Sequence, residues 1–199
     1  MNSSISPPIS ATDNRAKLLS TARVLAQTRG FNAFSYRDLA EIVGIKTASI
    51  HYHFPTKDDL GVALIHQYTE SMMVALHDID SQSIGYLAQF NQFVQIFEQT
   101  SESSEQWCLA GMFASDVQTL SEAMRQAVTT FFIQVEQWLN ALLERAVAAN
   151  AFRPLVPISQ LAPMILASLE GALLTTRLMN QPMRLKETAQ SLIKLLGVQ

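Results

Sequence analysis

The strongest constraint on the fold is the punctuation of residues 31–60. Ser35 precedes Tyr36, Leu39, Ala40 and Val43, whose i, i+3, i+4, i+7 spacing is one buried face of a short helix. The serine hydroxyl can accept from a free amide of the first turn. Gly44 follows the last periodic residue and supplies the left-handed backbone of a sharp turn. A second short helix then restarts at Lys46 or Thr47 and runs to Phe54, before Pro55 ends it. Two short helices joined by so tight a turn form a helix-turn-helix, here spanning residues 35–54.

In the second of these helices Ile50 and Phe54 lie four residues apart and can pack inward. Thr47, Ala48, Ser49, His51 and Tyr52 occupy the remaining arc. Short side chains there let a backbone approach the floor of a major groove, and hydroxyl or imidazole groups can reach base edges. The expectation is that Thr47, Ala48, Ser49 and His51 meet bases, while Tyr36, Arg37, Lys46, Tyr52 and Lys57 meet phosphates. Thr56 followed by Asp59 has the spacing of a capping box that opens the next helix. Lys57 falls in its first turn, where the ammonium and free amides can hold an anion.

Gly30-Phe31, Ser35-Tyr36-Arg37-Asp38-Leu39-Ala40, Val43-Gly44-Ile45, Ser49-Ile50-His51-Tyr52-His53-Phe54 and Lys57-Asp58-Asp59-Leu60 together resemble the N-terminal domain of TetR/AcrR-family transcriptional regulators. The specificity lies in several elements occurring in one order and spacing. The resemblance implies a homodimer on a palindromic operator, acting as a repressor that a small-molecule effector releases. Lys46 departs from the family pattern, which places a capping Ser or Thr just after the turn. Thr47 or water is expected to cap instead, with Lys46 aimed at a phosphate.

A net charge of −3 argues against a general nucleic-acid coat, but the charge is unevenly spread. Seven Lys or Arg stand against five Asp or Glu through residue 60, and seven against twelve beyond it. A mildly basic head on an acidic body suits few, local phosphate contacts. Cys108 is the single cysteine, which excludes an intrachain disulfide and fits a reducing cytoplasm. His51 and His53 point to different sides of one helix, and His66 and His77 lie three turns apart, so no metal site is expected. No glycine-rich phosphate loop, nucleophile elbow or paired-carboxylate pattern stands out. Neither a catalytic residue nor a cofactor is expected.

The remainder reads as helices without β alternation, giving an all-α chain. A flexible arm over 1–12 precedes a three-helix DNA-binding domain at 13–60 and a larger effector-binding and dimerisation domain at 61–199. A helix from Lys57 to about Ile79 joins the two and is the natural lever between them. Ile158–Leu178 approaches membrane-spanning length, but Glu170, Gln160 and Pro163 favour a buried interface helix, and no membrane contact is expected. The long helices at 122–150 and 158–180 carry more apolar residues than one face can bury and are the expected dimer surface. Met72, Phe90, Phe93, Phe97, Trp107, Met112, Phe113, Phe132 and Met164 are the candidate lining of a cavity for a small apolar or aromatic effector. Cys108 at a helix start is a candidate redox sensor if the helix dipole favours its thiolate. The alternative to a regulator is a ligand-binding or scaffolding helical protein that has lost operator recognition; the intact polar arc from Thr47 to Tyr52 speaks against it.

Overall fold

The computed structural model describes residues 11–102 and 106–198. Among them the chain forms helices α1 (Ala11–Arg29), α2 (Tyr36–Val43), α3 (Thr47–His53), α4 (Lys57–Ser81), α5 (Tyr86–Glu102), α6 (Leu109–Ser115), α7 (Glu122–Ala148), α8 (Ile158–Leu178) and α9 (Arg184–Leu195). Single 3₁₀ turns occur at Phe31–Ala33 and Val117–Thr119, and the only β pairing among the described residues is an isolated bridge between Phe152 and Val198. The arm expected over 1–12 lies outside the described residues as far as residue 10, and α1 already begins at Ala11, two residues earlier than Asp13.

Local signals set most boundaries. Gly44 ends α2 at φ 77°, and its amide donates to Ala40 O as the chain reverses. Ser121 caps α7 by accepting from Met124 N. α5 runs on through Thr100–Glu102, where Thr100 Oγ1 bonds back to Ile96 O and tolerates a helical position. α6 is short: Cys108 caps it, it closes at Ser115, and the chain tightens into the second 3₁₀ turn before Leu120 turns extended.

α1 packs on α2 and α4 with α3 against α2, so Leu18, Ala22, Leu25, Leu39, Ile50, Phe54, Leu60 and Leu64 share one buried centre. In the body α4 lies along α7, α7 along α8, and α5 and α9 close on α8. The two cores are continuous. α4 crosses between them, and its last turn is held to α7 where Asp80 accepts from Trp138 Nε1 at 2.9 Å and Arg145 Nη2 at 2.6 Å.

A second join bypasses α4. Gln27 of α1 is 3% exposed; its backbone carbonyl accepts from Trp107 N at 3.1 Å and its side chain donates to Trp107 O at 2.7 Å. Phe31 meets Phe113 with ring centroids 4.8 Å apart, and Asn32 donates to Asp116 and Thr119. Head and body are therefore bolted at α1–α6 as well as along α4.

α8 is long and apolar enough to cross a membrane by length and composition alone, yet it packs against α5, α7 and α9. Its outward row, Met164, Ala167, Gly171, Leu174 and Leu178, is apolar or small, and Met179 and Met183 extend it into the α8–α9 corner. The outward row of α7 is mostly polar, with Glu122, Arg125, Gln126, Thr129, Thr130, Gln137 and Glu144, and Ile133 as its exposed large apolar residue. The surplus of apolar residues anticipated on both helices thus belongs to α8.

Candidate nucleic-acid interface

The head is a rigid frame before it is a surface. Ser35 and Asp38 form a reciprocal capping box at the start of α2: Ser35 N and Oγ each donate to Asp38 Oδ2 at 2.7 Å, and Asp38 N donates to Ser35 Oγ. Those bonds hold the Asp38 carboxyl below the usual carboxylate range. Thr56 and Asp59 repeat the arrangement at the start of α4, as their spacing predicts.

Two residues expected at phosphates turn inward instead. Tyr36 is 9% exposed, and its hydroxyl lies 2.9 Å from Phe54 O and 2.5 Å from Thr56 O. Burial, reinforced by the charges of Asp59 and Asp58, pushes its pKa up, so the hydroxyl stays a donor and pins α2 to the α3–α4 junction. Lys57 bends back over the head: its ammonium donates to Phe31 O at 2.7 Å and Phe34 O at 2.5 Å and sits 4.7 Å from both ring centroids. Burial lowers its pKa. Three donors facing two carbonyls and two π-faces are largely committed, so the expectation that Lys57 holds a phosphate gives way to a strut between the 3₁₀ turn and α4.

On this frame α3 stands proud. Ile50 and Phe54 are 0% and 2% exposed beneath it, while Thr47, Ala48, His51 and Tyr52 are exposed and Ser49 is half-buried. Lys46 occupies the N-cap without a side-chain capping bond, and its carbonyl accepts from Ser49 N at 2.9 Å. Arg37, in the first turn of α2, and Lys46 are both exposed. Tyr52 reaches 79% exposure, the phenol standing clear of the core.

His51 is held in one tautomer. Its Nδ1 lies 3.1 Å from Pro55 O, which can only accept, so Nδ1 carries a proton. The ring also meets Tyr36 edge-on at 4.9 Å. The side chain itself is exposed on the outer face of α3.

The body departs further from expectation. Phe90, Phe93, Phe97 and Phe113 are buried, Phe93 meeting Phe90, Phe97 and Trp138 and Phe113 meeting Phe31. Trp107, Met112 and Phe132 are half-buried, Trp107 beneath Arg177, while Met164 is 38% exposed on the outer row of α8. Met72 borders a cavity of about 310 Å³ between α1, α4 and α5. Three-residue metal clusters of His, Cys, Asp or Glu do not occur among the described residues.

Cys108 corrects the redox expectation. It caps α6 with Sγ accepting from Gly111 N at 3.5 Å, but it is buried, with Tyr68 Oη at 3.6 Å and the Glu170 carboxyl beside it. Burial and that carboxyl push the thiol far up, the opposite of a thiolate favoured by a helix dipole. The residues that sequence reasoning missed are those of the α1–α6 join. Gln27 carried a usable signal, a polar residue on the otherwise apolar face of α1 one position beyond Ala26.

A rigid three-helix head, presenting one short helix with a small, polar outer face, on a larger helical body is a helix-turn-helix DNA-binding regulator. The profile of tetR-family bacterial regulatory proteins matches residues 18–64, and that of the tetracyclin repressor-like C-terminal domain matches residues 87–192. A TetR-family regulator from Agrobacterium tumefaciens superposes with a TM-score of 0.90 at 26% identity, over 95% of this chain and 100% of the other. A TetR regulator from Legionella pneumophila does so with a TM-score of 0.84 at 34% identity, over 98% and 100%. IcaR, a negative transcriptional regulator of the biofilm operon icaADBC in Staphylococcus aureus, is 23% identical over 128 residues, 58% of this chain and 68% of its own. The chain belongs to the TetR family. It is a DNA-binding transcriptional regulator that acts as a dimer and responds to small-molecule effectors.

Proposed function

We propose that this protein is a cytoplasmic repressor, without catalytic activity, that sits as a two-fold dimer on a palindromic operator and leaves it when an effector binds the body. The observation that carries the reading is the α3 surface. Thr47, Ala48, Ser49 and His51 offer small or hydrogen-bonding groups to base edges, with Arg37, Lys46 and Tyr52 placed around them for phosphates. Tyr36 and Lys57 hold that surface at a fixed attitude through backbone carbonyls instead of touching DNA.

The outer row of α8 supports the pairing of two subunits. A stripe of Met164, Ala167, Gly171, Leu174 and Leu178 lets two helices approach closely, and its small residues suit helix-on-helix packing better than the polar row of α7. Two α3 helices held one turn of duplex apart, about 34–36 Å, then enter successive major grooves. Effector binding acts through the two joins, α4 and the α1–α6 contact, because each links the body to a different helix of the head.

A mobility-shift titration against DNA from upstream of its own coding sequence, with footprinting of the bound fragment, tests the reading. Two protected half-sites related by a dyad are expected. A protein that binds no such fragment with more than non-specific affinity contradicts it.

A further inference from the structure

A cavity lies between α1, α4 and α5. It measures about 310 Å³ and is lined by Arg23 and Gln27 of α1, Tyr68, Met72 and Ala75 of α4, and Ile96 of α5, among others. That volume is at the lower end of small-molecule sites. We propose that it binds a small aromatic or short aliphatic monocarboxylate, with Arg23 as the carboxylate anchor.

Three observations carry the assignment. The first is charge: among the described residues the lining includes a guanidinium and no acid, while the acids Glu70 and Glu98 border other cavities. A second guanidinium, Arg177, donates to Thr100 O at the edge of the site, adding to the positive potential.

The second is preorganisation. Arg23 Nε donates to Gln27 Oε1 at 3.1 Å, and its guanidinium carbon lies 5.1 Å from the Tyr68 ring centroid. Gln27 is in turn fixed to Trp107 O. The guanidinium plane is thereby set, and its two terminal amino groups have no hydrogen-bond partner among the described residues. A half-buried, oriented and unsatisfied amino pair is a fork for a carboxylate.

The third is the division of the lining. Tyr68, Met72, Ala75 and Ile96 supply an apolar floor for a ring or alkyl chain, and Ser71, Gln99 and Gln106 supply polar groups around it. A ligand carrying one negative group on an apolar stem matches both halves.

The position has a mechanical consequence, which rests on the reading of the chain as a DNA-binding regulator. Arg23 belongs to α1 of the head, whereas the floor belongs to α4 and α5. A carboxylate drawn to Arg23 loads the Arg23–Gln27–Trp107 chain that bolts head to body, so the ligand acts on the join itself.

Calorimetric titration of the full chain with benzoate, phenylacetate and octanoate, and with the corresponding neutral amides, tests the site without DNA present. The acids are expected to bind at least about tenfold more tightly than their amides. Arg23→Gln, which keeps a partner for Gln27, should erase that difference, and Ala75→Phe, which fills the floor, should abolish binding of acids and amides alike. Amides binding as tightly as acids, Arg23→Gln retaining the preference, or none of the three acids binding the wild type would overturn the proposal. A folded Ala75→Phe variant that binds acids like the wild type would overturn it too. Loss of operator binding in a parallel mobility shift bears on the regulator reading alone, since the titrations contain no DNA.

Discussion

The head and the body solve the problem of buried polar groups in opposite ways. In the head, polar side chains turn inward to satisfy backbone carbonyls: Tyr36 on Phe54 and Thr56, Lys57 on Phe31 and Phe34. In the body, Tyr68, Cys108 and Glu170 from three helices meet one another, and partial burial raises the pKa of the half-buried Glu170. The first arrangement stabilises a fixed shape. The second leaves a group whose charge the fold disfavours.

The largest effect is expected in the aromatic core. Phe113→Ala removes a fully buried ring that touches Phe31 across the domain join, and should cost about 3–5 kcal/mol in chemical unfolding, with head and body unfolding together. If the two transitions separate, the continuous core does not couple the domains.

Lys57→Ala comes next. It strands two carbonyls and should cost about 1–3 kcal/mol of stability, while leaving the salt dependence of operator binding unchanged. A slope of log K against log salt that falls by about 0.9 would instead return Lys57 to a phosphate. His51→Ala should leave stability within about 0.5 kcal/mol and remove about 1–3 kcal/mol of discrimination at one base pair, read from binding to a set of operator variants.

The smallest effects concern pH, and their signs oppose. Asp38 has a folded-state pKa below its unfolded value, so its capping contribution is present above about pH 4 and is lost as pH falls through the folded value. Glu170 has a folded-state pKa above its unfolded value, so it favours the folded state when protonated. That advantage is lost as pH rises from about 4 through the raised folded value. Glu170→Gln should therefore gain stability relative to wild type as pH is raised, whereas Asp38→Asn should lose its difference from wild type in acid. Unfolding curves of both variants across pH check the pair.

The head was legible because its signals are local. Ser35, Gly44, Pro55 and Thr56 act within four residues of themselves, so the bounds of α2 and α3 and the outward set on α3 followed from spacing. The inward turn of Tyr36 and Lys57 was not, because their acceptors lie between 18 and 26 residues away and are backbone atoms that carry no sequence signature. In the body, spacing identified Phe90, Phe93 and Phe97 as inward but could not tell whether they enclose a space or fill one. Cys108 shows the same limit: its place at a helix start is local, while its chemistry is set by Tyr68 of α4 and Glu170 of α8. The Arg23–Gln27–Trp107 chain joins residues 80 apart and became visible only in three dimensions.

We propose that the outer face of α3 is the surface that meets DNA. Ala48 stands exposed on that face without a bond to the frame, so Ala48→Glu adds a carboxylate to the proposed groove surface and changes nothing beneath it. Measured against the upstream fragment, with Gln190→Glu on the exposed side of α9 as a matched change of charge, Ala48→Glu should cut affinity by at least about tenfold while Gln190→Glu does not. Equal affinities for the two variants, with unfolding curves like wild type, would contradict the account.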